Sequence, residues 1–128
     1  MNQPRLVDFL GHMHQAAEEA CVFAQGLDKD RFLADKRTQR ATVMSLVIIG
    51  EAATKIMEQY PEFAERHSSV PWRSMRGMRN RIAHGYFDIN LDVVWETIVT
   101  ALPELSAQLD ALQRELAGGA PSTGDSTV

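Results

Sequence analysis

The stretch DKRTQRATVMSLVIIGEAATKIMEQYP, residues 35–61, decides the fold class. Asp35 carries the short carboxylate that caps a helix N-terminus, and Pro61 cannot continue a helix, so one helix is expected from there through about Tyr60. Within it Val43, Leu46, Val47, Ile49, Gly50, Ala53, Ile56 and Met57 are apolar or small on more than one face. A helix at a bundle surface shows a single apolar stripe, so this one belongs in the middle of a bundle. Gly50 would permit a close helix crossing. Glu51, in the same largely apolar stretch, calls for an arginine or a helix N-terminus as partner, and would help position any arginine it holds.

The flanking segments also read as helices. Leu6, Phe9, Leu10, Met13, Ala16, Ala17, Ala20, Phe23 and Ala24 recur at three- and four-residue steps, giving a first helix from about Pro4 to Gln25 with Gly26 at its exit. Asp28 is a candidate cap for a short link through Phe32 and Leu33. Pro61 to His67 suits one or two helical turns, and residues 68–72 read as a loop feeding a third helix over 71–84. The last helix is expected from Asn90 or Leu91. Its seam of Leu91, Trp95, Ile98, Leu102, Leu105, Leu109, Leu112 and Leu116 alternates steps of four and three. Pro103 lies inside that helix and removes the bond to the Val99 carbonyl, which predicts a kink rather than a break. No strand pattern or internal repeat stands out. The expected architecture is all-α, an antiparallel up-and-down bundle of four main helices with short helical turns. Residues 1–117 are expected to form one domain, and residues 118–128, with nothing to bury, are expected to be a disordered tail.

Length and composition narrow the function classes. A chain of 128 residues has material for a single core. The N-terminus lacks a basic region followed by an apolar block, and no apolar run approaches the roughly 20 residues that span a bilayer. One cysteine, Cys21, offers neither a disulfide framework nor a zinc thiolate cluster, and its apolar flanks predict a buried, unreactive thiol. The expected setting is cytoplasmic, without a membrane partner. His12 and His14 point about 200° apart on a helix and cannot chelate one metal. The methionines read as core filler, and Trp72 as a core anchor or subunit contact.

The net charge of −4 argues against a general nucleic-acid binder, but its distribution does not. From Arg66 to Phe87 there are five arginines, two histidines and no Asp or Glu, so this window carries +5 and the remainder −9. A basic patch on an acidic body attracts a polyanion at one place. Within the window, Gly85 is expected to end the third helix in the left-handed conformation. His84 then sits at a helix C-terminus, where the dipole favours a cation, and Tyr86 projects just beyond it. Cleavage of RNA without a metal needs a base for the 2′-hydroxyl and a cation for the charged phosphorane, and histidine and arginine can supply them.

The segment Arg79-Asn80-Arg81-Ile82-Ala83-His84-Gly85-Tyr86 resembles the ribonuclease signature of the HEPN superfamily, and Arg79-x4-His84-x-Tyr86 resembles the HepT toxins. Ile49-Gly50-Glu51-Ala52, Val70-Pro71-Trp72, Gly77-Met78, Val94-Trp95 and Leu102-Pro103 extend the resemblance over roughly residues 5–116. It implies a HEPN-like bundle that is a metal-independent endoribonuclease, active as a homodimer, with no cofactor. Arg79 and His84 would be catalytic, and Asn80, Arg73, Arg76 and Arg81 would support RNA binding. The products would be a 2′,3′-cyclic phosphate and a 5′-hydroxyl, from tRNA or mRNA. It further implies the toxin of a type VII-like toxin–antitoxin pair, whose partner is an MntA-like minimal nucleotidyltransferase that silences it by placing AMP on Tyr86. The alternative is a catalytically inactive helical module that partners such a nucleotidyltransferase. A fragment of a larger nucleotide-binding enzyme is disfavoured, because no glycine-rich phosphate loop is present.

One geometric expectation cuts across the resemblance. On an uninterrupted helix Arg79 and His84 lie about 140° apart, whereas His84 aligns with Asn80 and Arg81. Either the helix loosens before Gly85, or pairing of two chains brings the two residues together.

Overall fold

The computed structural model describes residues 2–118, which form helices joined by short turns, with no strand among the described residues. Helix α1 spans Asn2–Ala24, α2 Lys29–Leu33, α3 Lys36–Gln59, α4 Pro61–Arg66 and α5 Trp72–His84. A 3₁₀ turn at Tyr86–Asp88 leads to α6, Leu91–Glu96, which passes through a π-helical turn at Thr97–Ala101 into α7, Leu102–Gly118. Gly118 is thus helical; the rest of the expected tail, 119–128, lies outside the described residues.

The expected boundaries follow from identifiable caps. Gly26, with φ of +85°, takes the left-handed conformation that releases the chain from α1. The Asp28 carboxylate accepts from the Arg31 amide at 2.9 Å and starts α2. At the start of α3 the Asp35 carboxylate accepts from both the amide (3.1 Å) and the hydroxyl (2.8 Å) of Thr38. Those two bonds, the hydroxyl's first, hold the Asp35 carboxyl below the usual carboxylate range. A lowered folded-state pKa means that the cap stabilises the fold above the unfolded value and fades as pH falls through the folded one. The difference in Tm between the parent and Asp35→Ala is therefore expected to be constant near neutrality and to close below about pH 4, as read by thermal melts across pH.

Helix α3 is central, packing against α1 on one side and α5 on the other, while α7 covers the far side of α1. Ser106 of α7 reaches Glu18 of α1 at 3.4 Å, and Gly11 lies beside Gln113, so these two helices run antiparallel. The core is continuous from Leu6, Leu10 and Met13 through Ile49, Ala53 and Ile56 to Ile98, Leu105 and Leu109. The leucine seam of the last helix is spent on this core. Helix α2 acts as a spacer: Phe32 is fully buried and stacks on Trp95 of α6 with centroids 5.2 Å apart. Trp72 is a core anchor, its indole N–H shared between the carbonyls of Ala64 and His67, each at 3.1 Å.

Several expectations are corrected. At Pro103 the helix is not broken, as expected; what the sequence did not show is the π turn just before it, where the Leu102 amide reaches back to the Thr97 carbonyl, an i to i−5 bond. That wider turn accommodates a ring that would otherwise strike the Val99 carbonyl, and the chain stays helical. Phe23, counted among the apolar positions of α1, is exposed, as is Met44 of α3, so the methionines are not all core filler. Cys21 is half-buried, not buried; burial and, second, the Glu18 charge push its thiol above the ordinary value, which keeps it a poor nucleophile.

Candidate active site at the end of α5

Helix α5 begins at Trp72, tied to the core, and carries Arg73, Arg76, Arg79, Asn80, Arg81 and His84 in thirteen residues. Its inner face is set by the buried Trp72, Met75 and Ile82. Arg79 falls on that inner side, over Gly50 of α3. A β-carbon placed on Gly50 would overlap the Arg79 Cβ and lie 2.7 Å from the Met75 carbonyl oxygen, so only glycine admits this crossing.

The close approach sets Arg79 among polar groups of α3. One terminal nitrogen, Nη1, is ion-paired with Glu51, and the other, Nη2, donates to the Thr54 hydroxyl at 3.1 Å. That hydroxyl in turn donates to the Gly50 carbonyl at 2.8 Å, which fixes its orientation. The expectation that Glu51 would hold an arginine is met. Thr54 was not anticipated, although it stands one turn from both Gly50 and Glu51 and so shares the crossing. The Arg79 Nε is buried without a protein acceptor.

The outer face is different in kind. Arg73, Asn80 and His84 are exposed and fall within about 40° of one another around the axis. Arg76 and Arg81 flank them, and the Arg81 guanidinium lies along the helix beside Gly77, 3.5 Å from where a β-carbon would stand. At the N-terminal end of this face Arg73 and Arg76 border a groove of about 560 Å³ floored by Met57, Pro61 and Trp72. No ion pair involves Arg73, Arg76 or Arg81 among the described residues.

The helix does not loosen before Gly85. It stays α-helical through His84, and the Gly85 amide donates to the Arg81 carbonyl at 3.1 Å. Arg79 and His84 therefore face different sides of α5 within one chain. Gly85 ends the helix, but not in the left-handed conformation expected of it: its φ is −149°, because the chain passes directly into the 3₁₀ turn, where the Asp88 amide bonds the Gly85 carbonyl at 2.9 Å. That turn presents Tyr86 half-exposed and Phe87 almost wholly exposed. Nothing in the sequence marked Phe87 out.

The arrangement joins an exposed histidine, a cationic helix face free of carboxylates and an exposed tyrosine at one helix end, opposite an arginine clamped by α3. A family model described as Ribonuclease HepT-like matches residues 13–112, which include all of these groups. The chain belongs to the HepT-like ribonuclease family. Among HepT-like relatives, "Putative RNase TTE0752" of Caldanaerobacter subterraneus subsp. tengcongensis is 40% identical over 116 residues, covering 90% of this chain and 99% of that one. "Probable ribonuclease HepT" of Thermococcus cleftensis is 34% identical over 107 residues, covering 84% and 94%. No solved structure matches the chain. No HepT-like helix described here is long and apolar enough to cross a membrane, and no group of three or more His, Cys, Asp and Glu side chains gathers as a cation site among the described residues.

Proposed function

We propose that the chain is a metal-independent endoribonuclease of the cytoplasm and the toxin of a type VII-like toxin–antitoxin pair. The observation that carries this reading is His84, exposed at the end of α5 on a carboxylate-free cationic face, in a chain whose family is that of HepT. His84 takes the proton from the 2′-hydroxyl, whose oxygen attacks the adjacent phosphorus; the P–O5′ bond breaks and the leaving 5′-oxygen takes a proton from water, giving a 2′,3′-cyclic phosphate and a 5′-hydroxyl. Arg79 stabilises the charge that builds on the phosphorane oxygens. Asn80, Arg73, Arg76 and Arg81 hold the flanking phosphates of a tRNA or mRNA.

The splay of Arg79 and His84 supports a homodimer in which the arginine of one chain meets the histidine of the other. A surface that such a dimer would cover exists on α3, where Met44 and Ile48 are exposed one helical turn apart beside Glu51. The partner is an MntA-like nucleotidyltransferase, and AMP on the exposed Tyr86 hydroxyl would put bulk and negative charge two residues from His84. The same splay favours one rival, a silent binding module for that nucleotidyltransferase, since a lone chain cannot assemble both groups.

Purified protein incubated with RNA in the presence of a chelator separates the two. Fragments ending in 2′,3′-cyclic phosphate and 5′-hydroxyl are expected, and they should vanish when the nucleotidyltransferase and ATP have first added AMP to Tyr86, as read by intact mass and peptide mapping. Unchanged RNA with the parent protein would favour the binding module, and an adduct on another residue would remove Tyr86 from the regulatory model.

A further inference from the structure

Phe87 is 98% exposed, the most exposed of the large apolar residues among those described, and it stands three residues beyond His84. Its exposure is not that of a frayed loop. The 3₁₀ turn that carries it is tied on one side by the Asp88 amide to the Gly85 carbonyl, and on the other by Ile89, which packs on the core. The neighbouring Tyr86 ring lies edge-on to it, with centroids 6.0 Å apart, and leaves its faces open. The backbone therefore spends order on holding a ring out in water.

The surroundings say what that ring suits. Every charged side chain from Arg66 to Phe87 is cationic or a histidine, and Arg73, Arg76 and Arg81, on the same helix, have no carboxylate partner among the described residues. The acid that follows the ring, Asp88, folds back toward Gly85, where its carboxylate lies 3.8 Å from a β-carbon position. An apolar protein partner would cover the ring but leave the cations unmatched. A polyanion with flat aromatic substituents answers both.

We propose that Phe87 is a stacking platform for an unpaired nucleobase next to the scissile phosphate, so that the turn after α5 selects RNA whose bases are free to leave a helix. Three residues of chain span at most about 11 Å, which keeps the stacked base within reach of the nucleotide whose phosphate His84 addresses. Aromatic stacking tolerates any base and makes no claim on sequence. The proposal rests on the ribonuclease reading, but it can fail separately from it.

The test uses the full-length protein and a fluorescently labelled twelve-nucleotide RNA, single-stranded or annealed to its complement. Phe87→Ala is expected to weaken single-strand binding roughly tenfold by anisotropy, Phe87→Trp to restore it, and neither to change the weaker duplex binding. In cleavage assays Phe87→Ala should raise KM and leave kcat close to the parent value, because the stacked base is held equally before and during reaction. Unchanged single-strand affinity in Phe87→Ala would overturn the proposal. So would loss of the dimer in that variant by light scattering, which would make the ring a subunit contact, and so would failure of Phe87→Trp to rescue. If the parent binds single strands through Phe87 yet cleaves none, the ribonuclease reading fails while the platform stands; if the parent binds no RNA, both fall.

Discussion

Replacing Gly50 with alanine is expected to lower the thermal stability and to detach Arg79 from its clamp. In an ordinary helix interior the same change stabilises by about 1 kcal/mol, because alanine loses less backbone freedom on folding. Here the new methyl would overlap the Arg79 Cβ and press on the Met75 carbonyl, and both of those groups are anchored on α5. Backbone cannot yield as a flexible side chain does, so α5 must move off α3. Overpacking of this kind costs about 1–3 kcal/mol, which for a domain of this size corresponds to a Tm lower by roughly 5–15 °C. Displacing α5 also lengthens the reach from Arg79 to Glu51 and Thr54, so activity is expected to fall further than the melt alone accounts for. Gly77→Ala is the control. It lies on α5 with only the tip of the Arg81 side chain at 3.5 Å from a β-carbon, and should melt at the parent temperature or slightly above. A Gly50→Ala protein as stable as the Gly77→Ala one would show that α3 and α5 are not in register at this crossing.

The contrast between those glycines shows where the sequence was legible. Gly50 lies in a helix that is apolar on several sides, so its role in a crossing could be read from its neighbours, and so could the need of Glu51 for a cation. Caps at Asp28 and Asp35, the stop at Pro61 and the buried leucine seam are local signals, and each stands where its chemistry put it. What could not be read depends on geometry between elements. Thr54 looks like any helix threonine until α5 is laid across it. Gly85 had the chemistry for a left-handed cap, yet the hydrogen bond from the following 3₁₀ turn chose another backbone path. Pro103 announced a disturbance, but that it takes the form of a wider turn just before the ring depends on what holds Ile98 and Leu102, both buried against the core. The outward faces of Phe87 and Met44 have no sequence signature, because exposure is decided by which neighbours the fold brings near.

Mixing two inactive variants is expected to restore activity. Arg79→Ala and His84→Ala each remove one of the two proposed chemical groups and should each reduce kcat by about 10²–10⁴-fold, as loss of an acid–base residue or of a charge-stabilising donor does elsewhere. Their side chains lie about 140° apart on a helix that is unbroken through His84, so one chain does not present them to the same phosphate. In a two-fold dimer with the arginine of one protomer facing the histidine of its partner, a mixed dimer contains one complete pair and one pair lacking both groups. Random exchange of equal amounts makes half the dimers mixed, so the mixture should recover about a quarter of the parent rate per chain. Co-refolding or co-expression with distinguishable tags, followed by tandem purification of the mixed dimer, would raise that to about half. Each variant must first be shown to fold and to dimerise. His84 is exposed and should tolerate the change, whereas Arg79→Ala leaves Glu51 without its ion pair, and Arg79→Lys serves as the milder version. Recovery in the mixed dimer would mean that the site is built between chains, and that the inward clamp on Arg79 aims it across the interface. A mixed dimer as inactive as its parents would require both groups from the same chain, and with that a rearrangement of the end of α5 when RNA binds.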